Sequence, residues 1–377
     1  MSSKFSLDTK VYTASPDRHL SMRDLLDYFS KVGSMRASDL HIKVHNPPVY
    51  RVDGLMQKMK GQPLDIQTVR ALAESLLTDN KLLNLEKMGS VDSSCMTDKM
   101  QFRLNCFRDN DGLAIAVRAL ESKPPQVEDI GFPNDVWRDI IQKQQGLILV
   151  TGVTGAGKST TIASMLDRIA QTRACRIITL EDPVEYRLKS SAALISQREV
   201  GRDVPTFERG LRDCLREDPD VIFVGEMRDR DSTRWTLTAA ETGHLVFSTL
   251  HTRDARGSIT RVMDMFPPNQ QDEVASQLSL GLSHILSQKL VPKADGTGRV
   301  VAMEILNNIY SVSNLIRLVK IEQVYSQMQT RTKNTPEERM VTLERSLADL
   351  VKSGVVTPLE AERWANNPSA FIEEMQH

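Results

Sequence analysis

The stretch Gly152-Val-Thr-Gly-Ala-Gly-Lys-Ser159 matches the pattern G-x-x-x-x-G-K-[ST] of phosphate-binding loops. A short apolar run at 146–151 precedes it and predicts a buried strand. Behind it, apolar residues spaced i, i+3, i+4 and i+7 from Ile162 predict a helix. In this order of strand, loop and helix, backbone N–H groups and the helix N-terminus face an anion. The stretch therefore predicts an α/β fold that binds a nucleoside triphosphate.

The loop also predicts which residues contact the nucleotide. These are the consecutive residues Thr154, Gly155, Ala156, Gly157, Lys158, Ser159 and Thr160. We expect Lys158 to bridge the β- and γ-phosphates and Ser159 to ligate Mg²⁺. ATP and Mg²⁺ are therefore the expected cofactors. The alternative is an accidental glycine-rich turn, against which the matching strand and helix on either side argue.

The composition is that of an ordinary folded protein. The chain has 377 residues, enough for two or three domains, of which 40% are hydrophobic and 26% charged. The formal net charge of −1 gives no support for nucleic-acid binding. The four cysteines form no C-x-x-C pair, so we expect no zinc site, and they suit a reducing cytosol. Since the chain shows no signal peptide and no apolar run of ~18 residues, we expect a cytoplasmic protein without direct membrane insertion.

The first 120 residues predict a small α+β domain, 1–120. Helical patterns begin at Ser21 and recur over 65–77. Alternating patterns predict strands at 39–44, 49–52, 101–107 and 113–120. Turn signals at 53–54 and 109–112 predict hairpins. Prolines and glycines at 121–133 predict an interdomain linker.

Residues 134–377 predict a second domain that contains the nucleotide-binding loop. Candidate strands separated by helical patterns lie at 147–150, 177–180, 221–224, 245–250 and 299–306. Strands that alternate with helices imply parallel βαβ units. From about residue 310 the pattern is helical, and apolar residues at 343, 347, 350 and 351 mark one amphipathic helix.

Acidic residues follow two of these strands. Glu181 and Glu185 come after 177–180, at a strand end where a carboxylate can activate the attacking water. Glu226 comes after 221–224, as in a Walker B site, whose acid holds Mg²⁺ through water. The residues alone leave open whether Glu181 or Glu185 is the base, and a solvated acidic turn is the alternative.

Two histidines flank the strand at 245–250. His244 precedes it and His251 follows it, and hydrogen bonds from either to a γ-phosphate are a possible role. A metal shared by the two is not expected, because an extended strand of this length separates them by ~20 Å. A structural role for each histidine is the alternative.

The order of these motifs resembles the PilT family of type IV pilus retraction ATPases, within the secretion ATPase superfamily. The matching segments are 152–160, 178–185, 216–229 and 240–252, which are similar to the family's Walker A, Asp, Walker B and His boxes. The resemblance implies an N-terminal PAS-like α+β domain, a C-terminal RecA-like ATPase domain and assembly into a homohexamer.

The resemblance also implies roles for individual residues. Glu185 matches the catalytic glutamate, Glu226 the Walker B glutamate that binds Mg²⁺ through water, and the two histidines the His box. Arg103 and Arg118 match arginines that reach the phosphates, where guanidinium groups offer paired donors to the negative charge. The alternative for both arginines is an exposed position on a strand with solvated partners.

At the level of the cell, the resemblance implies ATP hydrolysis that powers pilus retraction and twitching motility. The implied partners are an inner-membrane pilus platform protein and a second pilus ATPase, at the cytoplasmic face of the inner membrane. Extension and type II secretion ATPases usually carry an extra N-terminal domain and a four-cysteine zinc insert, and neither is expected here. Ser313 stands where the family has the arginine of Ala-Ile-Arg-Asn-Leu, which leaves the accessory PilU branch open.

Two further alternatives belong to other classes of protein. One is a catalytically silent, nucleotide-gated ring that serves as a binding platform, although every implied catalytic group is present. The other is a P-loop kinase for a small molecule, for which the sequence shows no acceptor-binding signature.

Overall fold

The computed structural model describes residues 5–32, 37–52, 55–97, 100–120 and 123–376, and the chain forms two compact units. The N-terminal unit comprises Met1–Lys123, Asp182–Arg187 and Glu199–Pro205. The C-terminal unit comprises Pro124–Glu181, Leu188–Arg198 and Thr206–His377. Two short segments from the middle of the chain thus belong to the N-terminal unit. The sequence-based limits 1–120, 121–133 and 134–377 do not include these two segments and stay a prediction.

The N-terminal unit is built on an antiparallel sheet. Within the described ranges its strands are β1 (Tyr12–Ser15), β2 (Arg18–Leu20), β3 (Ala37–Lys43), β4 (Val49–Val52), β5 (Leu55–Lys58), β6 (Ser90–Met96), β7 (Gln101–Asp109) and β8 (Gly112–Leu120). Its helices there are α1 (Met22–Val32), α2 (Ile66–Leu76) and α3 (Asp79–Met88). β1 pairs with β2, and the larger sheet has the order β5-β4-β3-β8-β7-β6. The predicted strands and helices of this region are confirmed, and the turn predicted at 53–54 lies outside the described residues.

Side-chain alternation along β7 separates a core face from a polar face. Phe102 and Leu104 are buried in the core, where the ring of Phe29 from α1 lies 5.4 Å from that of Phe102. Gln101 and Arg103 lie on the opposite face, because successive strand residues alternate between the two sides of a sheet. The sheet therefore presents Gln101 and Arg103 together on its polar face.

The C-terminal unit combines a sheet with many helices. In the described residues its strands are β9 (Gly146–Thr151), β10 (Arg176–Glu181), β11 (Leu194–Glu199), β12 (Val221–Val224), β13 (Leu245–Leu250), β14 (Leu282–Pro292) and β15 (Arg299–Asn307), where Glu199 itself belongs to the N-terminal unit. Its helices are α4 (Val136–Gln142), α5 (Lys158–Thr172), α6 (Phe207–Cys214), α7 (Arg230–Glu241), α8 (Ala255–Asp264), α9 (Gln271–Gly281), α10 (Tyr310–Arg317), α11 (Val324–Asn334), α12 (Leu343–Lys352), α13 (Pro358–Trp364) and α14 (Pro368–Gln376). Short 3-10 helices lie at Val127–Asp129, Pro268–Gln270, Ile321–Gln323 and Pro336–Glu338.

The sheet of the C-terminal unit has the order β11-β10-β12-β13-β9-β14-β15. Neighbours from β10 to β14 are parallel, and β9 and β13 are buried along their whole length, as expected of strands covered on both faces. The α/β class is therefore confirmed. The prediction that 299–306 continues the parallel set is wrong: β15 is antiparallel to β14, because the connection at 293–298 is too short for a crossover.

The helical character predicted beyond residue 310 is confirmed. Leu343 and Leu347 of α12 are buried with Phe371 of α14, against Val291 of β14 and Ala302 of β15. The C-terminal helices therefore cover the end of the sheet at β14 and β15. No helix in the described ranges is long and apolar enough to cross a membrane.

Candidate nucleotide-binding site

The phosphate-binding loop follows β9 and ends where α5 begins. Gly157 precedes the helix with a left-handed φ of +86°, and Lys158 is the first helical residue. The Lys158 side chain is buried, and its Nζ atom donates to the carbonyl oxygens of Gly152 at 2.9 Å and Val153 at 3.2 Å. The ammonium group thus lies within the curve of the loop, where a lysine of this motif is required.

Gln288 of β14 holds the loop from the side, a contact that sequence analysis missed. Its Nε2 atom donates to the carbonyl oxygen of Ala156 at 2.5 Å, and its Oε1 atom accepts from Thr161 Oγ1 at 3.0 Å. A Cβ atom on Gly152 would lie only 2.5 Å from the Gln288 carbonyl oxygen, so this position requires glycine. The available signal was the polar run at 287–289 inside an otherwise apolar stretch.

The strand register brings Glu226 and His251 to the end of the sheet that carries the loop. Val224 of β12 is the partner of Ser248 in β13, and Leu250 of β13 is the partner of Thr151 in β9. Since these strands are parallel, the residues that follow them lie together at the carboxyl ends of the strands. Glu226 and His251 therefore lie at the same end of the sheet as the phosphate-binding loop.

Glu226 is held on both carboxylate oxygens. Its Oε1 atom lies 3.3 Å from Nε2 of His251, and its Oε2 atom accepts from Nε of Arg228 at 2.7 Å. Thr249 Oγ1 donates to the carbonyl oxygen of Gly225, at 2.6 Å, and fixes the preceding backbone. The carboxylate is thus oriented at the strand tip.

The two candidate bases have different surroundings. Glu181 ends β10 and is buried, and its Oε1 atom accepts from Thr179 Oγ1 at 2.6 Å and from Gln197 Nε2 at 3.2 Å. Glu185 belongs to the N-terminal unit, and its side chain is 36% exposed. The Oε1 atom of Glu185 lies 4.0 Å from Nη1 of Arg103. Glu185 is therefore the more accessible carboxylate and faces an arginine.

Arg103 and Arg118 are direct partners across β7 and β8, so their side chains share one face. Both are substantially exposed, at 47% for Arg103 and 68% for Arg118. Arg118 Nε donates to Asp39 Oδ1 at 2.8 Å. Burial alone would raise the pKa of Asp39, but hydrogen bonds from Ser38 and Arg118 outweigh it and lower the pKa below its ordinary value. Asp39 therefore stays charged and orients Arg118.

The structure does not bring His244 to the phosphate-binding loop of its own chain. Leu245 is the partner of Gly146 at the start of β9, so His244 lies at the opposite edge of the sheet from His251. Its Nδ1 atom is 2.9 Å from the Ala239 carbonyl oxygen and 3.1 Å from Thr242 Oγ1. These contacts belong to the connection from α7 to β13.

Ser313 joins two helices. Its Oγ atom donates to the carbonyl oxygen of Ser279, at 2.7 Å, and so links α10 to α9. The serine at this position is therefore accommodated by a local hydrogen bond within the C-terminal unit.

The donor atoms at the loop suit magnesium rather than a transition metal. Among the described residues, no cluster of three or more histidines, cysteines or acids could hold a metal ion. Ser159 offers a hydroxyl and Glu226 a carboxylate, the oxygen ligands that Mg²⁺ accepts while it keeps several waters. The residues therefore fit a Mg²⁺ bound mainly through nucleotide and water.

Known proteins resemble the chain over nearly its whole length. The family model described as "Type II/IV secretion system protein" matches residues 16–353. The type IV pilus retraction ATPase PilT of Pseudomonas aeruginosa is 41% identical over 353 residues, which cover 93% of this chain and all 100% of that protein. The type IV pilus ATPase PilU of the same organism is 30% identical over 331 residues, which cover 88% and 85%. A crystal structure of the pilus retraction motor PilT with bound ADP matches with a TM-score of 0.84 and 41% identity, over 94% of this chain and 99% of the other.

Proposed function

The chain belongs to the type II/IV secretion system protein family, and on this premise we propose that it is an ATP-hydrolysing hexameric motor that powers type IV pilus retraction. The observation that carries the proposal is the grouping of Lys158, Glu226 and His251 at one edge of a parallel sheet. Ligands of open α/β sheets bind at this end of the sheet, outside the carboxyl ends of the strands.

The loop residues 154–160 bind the triphosphate in this proposal. Backbone N–H groups and the N-terminus of α5 contact phosphate oxygens, and Lys158 adds a fixed positive charge. Ser159 holds Mg²⁺ directly and Glu226 holds it through water. Mg²⁺, when bound, neutralises negative charge on the phosphate oxygens.

Glu185 is the general base in this proposal, rather than Glu181. Glu181 is buried, and its Oε1 atom already accepts hydrogen bonds from Thr179 and Gln197. Glu185 keeps an accessible carboxylate, which can take the proton from the attacking water. Nη1 of Arg103 lies 4.0 Å from Oε1 of Glu185, so a guanidinium group stands beside this carboxylate.

Arg103 and Arg118 stabilise the charge that develops on the γ-phosphate. Two guanidinium groups on one sheet face supply several donors with fixed directions, and Asp39 orients that of Arg118. His251 acts through Glu226, whose carboxylate it contacts. We propose no contact between His244 and the nucleotide of its own subunit.

Membership of the family supports a proposal for the assembly and the partners. We propose a ring of six copies at the cytoplasmic face of the inner membrane, bound to a pilus platform protein and to a second pilus ATPase. An accessory role like that of PilU is the second candidate, and Ser313 is the observation that favours it. The higher identity to PilT supports the retraction motor as the first candidate.

Two measurements test the proposal. Purified full-length protein should release phosphate from Mg-ATP, and undetectable hydrolysis by assembled rings at saturating Mg-ATP would reject the motor. Transfer of the γ-phosphate to a metabolite would indicate a kinase instead. In cells, deletion of the gene should leave excess surface pili and abolish twitching motility, whereas an absence of pili would indicate an extension ATPase.

A further inference from the structure

We propose that Gln101 and Glu199 are positioning residues for Glu185, acting through the backbone of Val184; this rests on the proposed role of Glu185 as base. Together with Lys81, which pairs with Glu199, we call them the Val184 clamp. All of these residues belong to the N-terminal unit.

The clamp holds the backbone of Val184 on both sides. Gln101 Nε2 donates to the carbonyl oxygen of Val184, and the backbone N–H of Val184 donates to Glu199 Oε2 at 3.5 Å. The Val184 carbonyl belongs to the peptide group that leads into Glu185. Because peptide groups are planar, fixing this carbonyl fixes the position of the Glu185 backbone.

The same strand that holds the backbone also faces the carboxylate. Gln101 and Arg103 are two residues apart in β7 and share its polar face. Gln101 binds the Val184 carbonyl, while Nη1 of Arg103 lies 4.0 Å from Oε1 of Glu185. Strand β7 thus contacts both the backbone that leads into the proposed base and the side chain of that base.

Glu199 is itself anchored by a buried network. Its side chain is only 1% exposed, and its Oε1 atom accepts from Lys81 Nζ at 3.0 Å. Its Oε2 atom accepts from Ser94 Oγ at 2.5 Å, and Lys81 also donates to Ser93 Oγ at 3.2 Å. Lys81 comes from α3 and both serines from β6, so two elements of the N-terminal unit fix this carboxylate.

A positioning role explains why the ion pair between Lys81 and Glu199 is buried, which a stabilising role does not. Removing two charges from water costs more than an ion pair commonly returns, so a buried pair is weak evidence for stability. A fixed geometry is what such a pair supplies here, beside the segment that carries the base. A misplacement of a catalytic group by ~1 Å can lower a rate by about a hundredfold.

Gln101→Leu tests the clamp in the assembled full-length ATPase, because leucine keeps the approximate volume and removes the donor. We expect kcat for Mg-ATP to fall about tenfold to a hundredfold while KM changes less than about twofold. Gln57→Leu, on the exposed strand β5, is the matched control and should keep the wild-type kcat. Thermal unfolding of each variant reports the fold, and Ser94→Ala, which removes one hydrogen bond to Glu199, serves as a milder second variant with an expected severalfold loss of kcat.

A double-mutant cycle separates positioning from a general effect. If Gln101 acts only through Glu185, Gln101→Leu should cause no further loss in a Glu185→Gln background. An unchanged kcat in both Gln101→Leu and Ser94→Ala, or a full additive loss in the double variant, would overturn the inference. Full turnover by Glu185→Gln alone would instead reject the proposed base. The failure of the base assignment is thus distinguishable from the failure of the clamp, which is read from the Gln101→Leu and Ser94→Ala variants.

Discussion

His251 Nε2 lies 3.3 Å from Glu226 Oε1, at the end of the sheet where the phosphate-binding loop begins. Arg228 binds the other oxygen of the same carboxylate at 2.7 Å. The histidine therefore contacts Glu226, the proposed Walker B glutamate. His244, seven residues earlier in the sequence, lies at the opposite end of the same strand.

The two histidines should differ when each is removed. His251→Ala should lower kcat for ATP hydrolysis about tenfold, since one lost contact of ~1.4 kcal/mol in the transition state corresponds to that factor. His244→Ala is the matched comparison and should change kcat less than about twofold. Steady-state kinetics of both variants measures the difference, and equal losses would contradict the placement of His244.

Removal of the loop lysine should weaken nucleotide binding. Lys158→Ala deletes a positive charge from the loop, and hydrogen bonds to charged groups contribute ~1.5–3 kcal/mol. We expect the Kd for Mg-ATP to rise tenfold or more, to about a hundredfold. Lys189→Ala, at an exposed position of the same unit, is the control and should bind normally. Titration with a fluorescent ATP analogue gives both constants; equal affinities would remove Lys158 from the site.

The two glutamates after β10 should separate binding from chemistry. Glu185→Gln should bind ATP with nearly wild-type affinity and hydrolyse it about 10²- to 10⁴-fold more slowly, because the base is lost. Glu181→Gln should have the smaller effect on kcat, because Glu181 is engaged by Thr179 and Gln197. Single-turnover conversion of ATP to ADP, stopped by chemical quench, measures the chemical step directly. A larger loss in Glu181→Gln would move the base to that residue.

Stability should depend on pH through Glu304, which lies in β15 and accepts from the backbone N–H of Ala255 at 2.7 Å. Burial raises its pKa from an ordinary value of 4.5 to about 8. The folded protein therefore binds this proton more tightly than the unfolded chain does. The resulting stabilisation is complete below pH 4.5 and is lost as the pH rises through about 8.

Glu304→Gln removes this titration and keeps the shape of the side chain. Its free energy of unfolding, relative to the wild type, should rise between pH 5 and 8 by up to ~1.4 kcal/mol per pH unit. Urea denaturation at several pH values measures this difference. Glu373→Gln, on an exposed side of α14, is the control and should show no such trend. A flat difference for Glu304→Gln would mean that Glu304 titrates normally in the folded state.

The parts of the site that lie next to each other in the sequence could be predicted from it. The loop at 152–159 and the acid after β12 are recognised from residues that are neighbours in the sequence. Buried parallel strands are recognised as apolar runs. The sequence did not predict β14, because Ser287, Gln288 and Lys289 interrupt its apolar pattern. Those polar residues are there because the strand runs beside the loop, where Gln288 makes its hydrogen bonds.

Contacts between distant parts of the sequence could not be predicted in the same way. Gln101 and Val184 are 83 residues apart, and Lys81 and Glu199 are 118 apart. No periodicity links such pairs, since each residue is unremarkable within its own segment. His244 and His251 are close in the sequence but lie at opposite ends of β13, a separation that the length of an extended strand predicts.

The segments 182–187 and 199–205 make the N-terminal unit discontinuous in the gene. A fragment cut at residue 123 would carry Lys81 without its counter-ion Glu199, because that carboxylate is encoded beyond the cut. A chimaera that exchanges the first 123 residues between homologues would likewise join Lys81 and Gln101 from one parent to Glu199 and Val184 from the other. Grafting this module intact requires transplanting three separate stretches of chain.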